Sequence, residues 1–176
     1  MKKMQKNEGF TLIELLIVVA IIGIIAAIAV PGLLRARMSG NEASAIGSIR
    51  TIASAEATYA SACGGGGYAV TLTALGKAPA VGPAFIPTDL AAASTSTALK
   101  SGYFFSIVDG PTGVDVLTGA QTCNTAATAS STEFFSATEP GSPGSTGVRY
   151  FATDHSGMIR QGTTAITAIT GGIPLQ

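Results

Sequence analysis

Few side chains in this sequence could do chemistry, and their spacing does not predict a catalytic or metal site. The single histidine, His155, stands beside Ser156 in a stretch typical of a turn, which does not indicate a nucleophile and its base. The two cysteines, Cys63 and Cys123, lie too far apart for a zinc site of the usual Cys/His spacing. We therefore expect no catalytic residue, no metal ligand and no cofactor.

Two further patterns point only weakly to a ligand. Residues 64–67 are four glycines, but no Gly-Lys-Ser/Thr follows them, so they predict the end of a helix rather than a phosphate loop. Asp109 and Asp115 flank a Gly/Pro turn where calcium could bind, although the spacing does not resemble an EF-hand loop. Neither pattern is strong enough to predict a binding site.

Glu14 is the one titratable side chain in an unusual position, because it precedes a long apolar run. Residues 15–34 carry no charge, and a helix of that length spans roughly 30 Å of hydrocarbon. Lys2, Lys3 and Lys6 precede the run, so the positive-inside rule places the N-terminus in the cytoplasm. The run is too long for a secretory signal peptide and too uniformly apolar for an ordinary core helix. It predicts a single membrane-spanning helix.

The composition excludes other classes of protein. The chain has 176 residues with 10 basic and 10 acidic side chains, so its net charge is zero. Nucleic-acid binding needs a basic surface, and none is evident here. Only 11% of residues are charged and 47% are hydrophobic, which does not suit a disordered chain.

The N-terminal sequence resembles that of type IV prepilins. A short basic leader, MKKMQKNEG, is followed by Phe10 and by the apolar stretch TLIELLIVVAII. The resemblance covers residues 2–37 and implies that a prepilin peptidase/methyltransferase cuts between Gly9 and Phe10 and methylates the new N-terminus of Phe10. Residues 1–9 would then be a leader that is removed.

Two interpretations of Glu14 remain open. Its carboxylate could extend to the lipid headgroups, or it could pair with a cation, because an isolated charge in a membrane helix is costly. Cleavage would create such a cation, the α-ammonium of Phe10. The resemblance implies that Glu14 pairs with the Phe10 ammonium of a neighbouring copy and so sets the axial register of a filament.

The pattern predicts one helix over residues 10–63. Residues 10–35 form its transmembrane and assembly half and residues 36–63 an amphipathic half, with helical spacing of the apolar positions. We expect the polar faces of the second half to carry Arg35, Arg37, Asn41, Glu42, Arg50 and Glu56. The helix could be interrupted at Gly23, Pro31 and Gly32. These predict a mild kink in the isolated chain, and the resemblance implies an unwound stretch in the filament.

Residues 64–176 predict a globular head with an antiparallel sheet. We expect a helical turn at residues 71–75, a proline-containing loop at 77–87 and a short helix near residue 88 with Leu90 and Leu99 facing inward. Strand patterns cover residues 103–108, 114–117, 132–138 and 148–153, with a hairpin partner at 158–161. The aromatic pairs at 104–105 and 134–135 would place one ring on each face of the sheet. The predicted class is α+β, with about four strands; the resemblance implies the pilin roll.

The predicted location of the head, outside the cytoplasmic membrane, bears on the two cysteines. Disulfides persist in that compartment, so Cys63 and Cys123 are expected to pair. The bond would join the end of the helix to the loop before the third strand. Known pilins of this type carry their disulfide near the C-terminus, and the roles of that loop are not carried over.

The sequence therefore predicts a structural subunit and not an enzyme. The leading hypothesis is the pilin of a bacterial type IV pilus, a helical homopolymer used in adhesion, twitching motility or DNA uptake. The alternative is the major pseudopilin of a type II secretion system. A membrane-anchored enzyme or binding domain is the third. The expected location is the inner membrane, with a cytoplasmic N-terminus, followed by an extracellular pilus or a periplasmic pseudopilus built on the assembly platform of either system.

Overall fold

The computed structural model describes residues 9–95 and 97–175. It divides into two units, Met1–Arg37 and Met38–Gln176. The basic residues of the predicted leader, Lys2, Lys3 and Lys6, lie outside the described residues.

A single long helix, α1, runs from Leu12 to Ala62. It confirms the predicted long N-terminal helix. It continues without a break through Gly23, Pro31 and Gly32, which fits the tolerance of membrane helices for isolated glycine and proline. Unwinding of this stretch in a filament remains a prediction.

The part of α1 that belongs to the second unit buries one stripe of side chains. Ala45, Ile49, Ile52 and Tyr59 recur every three to four residues and are almost inaccessible to solvent, as expected for an amphipathic helix on a core. The prediction that Glu42 and Glu56 belong to the polar face is wrong. Both lie in the buried stripe, 5% and 0% exposed, because backbone amides of the head donate hydrogen bonds to their carboxyl groups.

Glycines end α1, as the sequence predicts. The backbone N–H of Gly64 donates to the carbonyl of Tyr59, and Gly65 and Gly66 have φ angles of 64° and 96°. Residues with a Cβ are strained in such left-handed conformations, whereas glycine adopts them without strain. Strand β1, Tyr68–Ala69, follows directly.

Two short helices follow β1. Helix α2, Leu72–Gly76, begins at Thr71, whose hydroxyl accepts a hydrogen bond from the N–H of Ala74 at 3.2 Å. After the predicted loop comes α3, Thr88–Ala92. Leu90 on α3 is buried, but the inward position predicted for Leu99 is wrong, since 41% of Leu99 is exposed. The cause is the length of α3, which ends at Ala92 and leaves Leu99 in the following connection.

The remaining strands form two antiparallel sheets. The strands after β1 are β2, Tyr103–Asp109; β3, Asp115–Leu117; β4, Ser130–Ser131; β5, Phe134–Pro140; β6, Tyr150–Asp154; β7, Arg160–Gly162; and β8, Ile173–Pro174. The larger sheet has the order β2-β5-β6-β7-β8, and the smaller has the order β1-β4-β3. The α+β class is confirmed, while the described residues form more strands than the four expected.

The larger sheet buries side chains on both faces. Phe134 packs in the main core with Ile49 and Ile52 of α1, and its neighbour Phe135 belongs to a second core with Ala152 and Ile166. The expectation of one aromatic ring on each face is therefore confirmed for this pair. The second core arises because residues after β7 cover the outer face of the sheet.

Candidate assembly segment

The predicted cleavage site lies just before α1. Gly9 and Phe10 precede the first helical residue, Leu12, and Phe10 is 90% exposed. A Cβ atom at Gly9 would meet no other atom within 4 Å. Both residues of the predicted cleavage site are thus exposed in the described structure, while the cleavage remains a prediction.

The carboxyl group of Glu14 is held by Thr11. The N–H and the hydroxyl of Thr11 donate to Glu14 Oε2 at 2.9 and 2.6 Å, and the N–H of Glu14 donates to the Thr11 hydroxyl at 3.3 Å. These reciprocal bonds form a capping box, in which the residue before the helix and the third helical residue satisfy each other's free amides. Glu14 therefore caps the start of α1 in the uncleaved chain.

The role of Thr11 was missed by the sequence analysis. The signal was present, because Thr11-Leu12-Ile13-Glu14 has the T-x-x-E pattern of a capping box. The membrane cost of a carboxylate directed the interpretation towards the lipid headgroups or a cationic partner, and neither includes a helix cap. The structure adds a second role for Glu14, and a test of charge pairing must separate the two.

The apolar side chains that follow are uncovered on all sides of the helix. Every described residue from Gly9 to Arg37 is exposed, and the large aliphatic side chains from Leu12 to Leu34 are 50–76% exposed. Among the residues described, α1 is the one helix long and apolar enough to cross a membrane by length and composition. Such a surface requires cover by lipid or by other protein chains.

In the second unit, hydrogen bonds connect Glu42 on α1 to the two residues just before β6. Its Oε1 accepts from the N–H groups of Val148 and Arg149 at 2.9 and 3.2 Å, and its Oε2 accepts from Arg149 Nε at 2.8 Å. Burial raises the pKa of Glu42, but these hydrogen bonds and the Arg149 charge together hold the pKa below its usual value. The Arg149 guanidinium also lies 5.4 Å from the ring centre of Phe151.

The predicted disulfide between Cys63 and Cys123 is present. It joins the residue after α1 to the loop before β4, as expected. That loop is also held by Asn124, whose side-chain amide donates to the carbonyls of Ala74 and Lys77 at 2.7 and 2.9 Å. The cross-link and the amide therefore fix the same loop from two sides.

The other candidate side chains do not form a reactive cluster. His155 is exposed, and the hydroxyl of Ser156 accepts a hydrogen bond from the N–H of Met158 at 3.3 Å. Across residues 9–95 and 97–175, no three His, Cys, Asp or Glu side chains are grouped so as to hold a metal ion. Beside the Asp109 turn, Glu133 accepts from the hydroxyl and the N–H of Thr112, so its carboxylate is already engaged.

Comparison with known proteins gives matches to the N-terminal region. Residues 4–30 match the family described as the prokaryotic N-terminal methylation motif. The type IV major pilin protein PilA of Myxococcus xanthus is 43% identical over 54 residues, which are 31% of this chain and 24% of that protein. The type IV wide pilus major component PilA4 of Thermus thermophilus is 59% identical over 39 residues, 22% of this chain and 30% of the relative.

A secretion protein also matches part of this chain. The type II secretion system core protein G of Vibrio cholerae is 41% identical over 59 residues, which are 34% of this chain and 40% of that protein. The matches thus span between a quarter and two-fifths of the relatives' length, and no solved structure matches. They confirm the resemblance of the N-terminal segment to type IV pilins and pseudopilins.

Proposed function

We propose that this chain is a structural subunit of a bacterial type IV pilus, and not an enzyme. It polymerises through its hydrophobic N-terminal helix into a surface filament used in adhesion, twitching motility or DNA uptake. One observation carries the proposal: residues 4–30 match the methylation motif, and the large aliphatic side chains of α1 from Leu12 to Leu34 are all exposed in the described structure. Copies of the same helix would cover these side chains in a filament.

Each segment of the chain has a proposed part in membrane insertion, processing and assembly. Residues 1–9 are the leader, and residues 10–35 hold the chain in the inner membrane with a cytoplasmic N-terminus. Residues 36–63 are the amphipathic half of the helix, and residues 64–176 form the head outside the membrane. A prepilin peptidase removes the leader after Gly9 and methylates Phe10. An assembly platform then moves the subunit from the membrane into the filament.

Glu14 would change its partner during this process. Before cleavage the backbone nitrogen of Phe10 is a neutral amide, and the carboxylate caps α1 through Thr11. After cleavage the same nitrogen is an ammonium group. In the filament we expect the Glu14 carboxylate of an incoming subunit to pair with the Phe10 ammonium of its neighbour, which fixes the axial register.

A second candidate is the major pseudopilin of a type II secretion system. Its support is the match to the Vibrio cholerae core protein G, which covers a larger share of this chain than either pilin match does. The same N-terminal segment would serve both functions. Shearing cells that produce the wild-type chain separates them, because a pilus releases long fibres of this protein and a pseudopilus does not.

The capping box allows a sharp test of the assembly role. Glu14→Gln keeps a side chain that can complete the capping box but removes the charge, whereas Thr11→Ala weakens the cap and keeps the charge. If Glu14 pairs with an ammonium, Glu14→Gln and Glu14→Ala both leave a buried cation unpaired. Breaking such a pair costs about 3–5 kcal/mol, so subunit addition should weaken by two or more decades. Thr11→Ala should retain most fibres.

The readouts are fibre counts by electron microscopy and the mass of the mature N-terminus. The mass establishes that each variant is still cut and methylated. Glu14→Asp, which keeps the charge with a shorter reach, should be intermediate. Wild-type fibre numbers from correctly cut Glu14→Ala would contradict the proposal, and fibre loss from Thr11→Ala but not from Glu14→Gln would assign the effect to capping.

A further inference from the structure

Glu56 is a carboxyl group without a charged partner in the main core. It is fully buried on α1, in the same stripe as Ile52 and Tyr59. Its Oε2 accepts one hydrogen bond, from the N–H of Ala69 at 2.8 Å. Its Oε1 has no hydrogen-bond partner among the described residues.

No cation compensates a charge at this position in the described structure. The ion pairs present there join Lys100 to Asp89 and Arg149 to Glu42, and neither includes Glu56. The titratable groups nearest to it along its own helix and along β1 are two phenols. Tyr59 lies one turn further along α1, and Tyr68 precedes Ala69.

These surroundings favour the neutral carboxylic acid. An uncompensated carboxylate in an apolar core is far more costly than a neutral polar group, so the group takes up a proton instead. Burial raises the pKa of Glu56 to about 8, although the Ala69 hydrogen bond acts in the opposite direction. The burial of Glu56, its missing hydrogen-bond partner and its raised pKa therefore all favour the neutral acid.

Glu56 is one of several groups that hold a short segment. Among the described strands, β1 has two residues and pairs with β4, at Tyr68–Ser131 and Ala69–Ser130. The Ser130 hydroxyl also donates to the Gly64 carbonyl at 2.9 Å, and the ring centres of Tyr68 and Phe134 lie 5.1 Å apart. The residues before β1 are the glycines that end α1, which have the largest backbone freedom of any residue type. The carboxyl group of Glu56 is thus a direct side-chain tie between α1 and this segment.

We propose that Glu56 is a proton-operated latch, which in its neutral form holds β1 and the preceding glycine turn on α1, and in its charged form releases them. Opening of residues 64–69 lets water reach the carboxylate, and this is a smaller change than unfolding the head. The disulfide at Cys63 keeps the end of α1 joined to the loop before β4 while the segment opens. The latch lies in the second unit and does not depend on filament formation.

The direction of the pH effect follows from proton linkage. The closed segment retains the Glu56 proton up to about pH 8, whereas the open segment loses it near the ordinary value of 4.5. Between these values the closed form binds more protons, so raising the pH favours opening, by up to about tenfold per pH unit. Above about pH 8 both forms are charged and the dependence ends.

Hydrogen exchange on the full chain in detergent micelles tests this latch. Protection of residues 64–69, corrected for the intrinsic exchange rate at each pH, should fall about tenfold per unit between pH 5 and 7.5 and level off above 8. Glu56→Gln retains an acceptor for the Ala69 N–H and cannot ionise, so its protection should be independent of pH. Glu42→Gln is the matched control and should keep the wild-type dependence at residues 64–69.

Two outcomes would overturn the proposal. One is pH-independent protection of residues 64–69 in the wild-type chain, with β5 as the internal reference. The other is the same pH dependence in Glu56→Gln. An infrared spectrum of the wild-type chain supplies a readout that does not depend on a folded variant: the carbonyl band of a protonated carboxylic acid should persist at pH 7 and disappear above pH 9. Its absence at pH 7 would also refute the latch.

Discussion

The two halves of α1 belong to the same helix and have opposite surroundings. From Leu12 to Leu34 no side chain is buried, and the surface is aliphatic on every side. From Glu42 to Tyr59 the helix buries a stripe that includes two glutamates. The first half thus carries apolar side chains that are exposed in the described structure, and the second half carries carboxyl groups that accept hydrogen bonds from the head. Hydropathy predicts the former well and the latter poorly.

The largest effect on the head is expected at the end of the packed half. Replacing both Cys63 and Cys123 with serine should lower the free energy of unfolding by about 4 kcal/mol, since the bond closes a loop of 60 residues. Denaturant unfolding at equal pH measures the loss, and the mass of the mature N-terminus should be unchanged. Stability equal to that of wild type would show that Asn124 alone holds the loop.

A matched pair of aliphatic substitutions compares the two halves directly. Ile52 is fully buried and Ile22 is 60% exposed. Ile52→Ala should destabilise the head by about 3 kcal/mol, within the usual range for such a cavity. Ile22→Ala should leave the unfolding of the head unchanged and reduce the number of fibres. Equal destabilisation by both substitutions would contradict the division between the halves.

The smallest effect, with the clearest sign, is expected at Glu42. Its pKa is lowered in the folded chain, so its contribution to stability is present above the ordinary value of 4.5 and is lost as the pH falls through the lowered value. Glu42→Gln should cost about 1–2 kcal/mol at pH 7, because Arg149 is partly exposed, and this cost should decrease as the pH falls through the lowered pKa. Denaturation at pH 7 and in a series of acidic buffers measures this. A cost that grows on acidification would refute the assignment.

Glu42 and Glu56 should therefore respond to pH in opposite directions. The sequence could not distinguish them, since both stand at helical positions typical of a solvated face. The two glutamates differ in their hydrogen-bond partners, which lie outside the helix. Glu42 accepts from Arg149 and the Val148 amide, whereas Glu56 accepts from the Ala69 amide alone. Contacts between residues so far apart in the sequence leave no local pattern to detect.

Elements with a strong local signal were predicted well, and elements that depend on pairing were not. The glycine run, the helical turn predicted at residues 71–75 and the aromatic strands at Tyr103 and Phe134 each carry their own signal. β4, with the sequence Ser-Ser, and β8, Ile173–Pro174, do not, because two residues have no periodicity. They become strands only when β3 and β7 are beside them. The Thr11 cap was predictable, and its T-x-x-E signal was overlooked.

The Cys63–Cys123 bond has a mechanical consequence. If the subunit is pulled between α1 and a point after Cys123, the tension passes through the sulfur atoms and bypasses residues 64–122. An extended chain spans about 3.3–3.6 Å per residue, so residues 64–122 could extend by roughly 200 Å if the disulfide were absent. The intact bond prevents this extension. β1, α2, α3, β2 and β3 lie within the bypassed loop. A subunit loaded in this way can lengthen through α1 or through residues 124–176, but not through the loop that the disulfide closes.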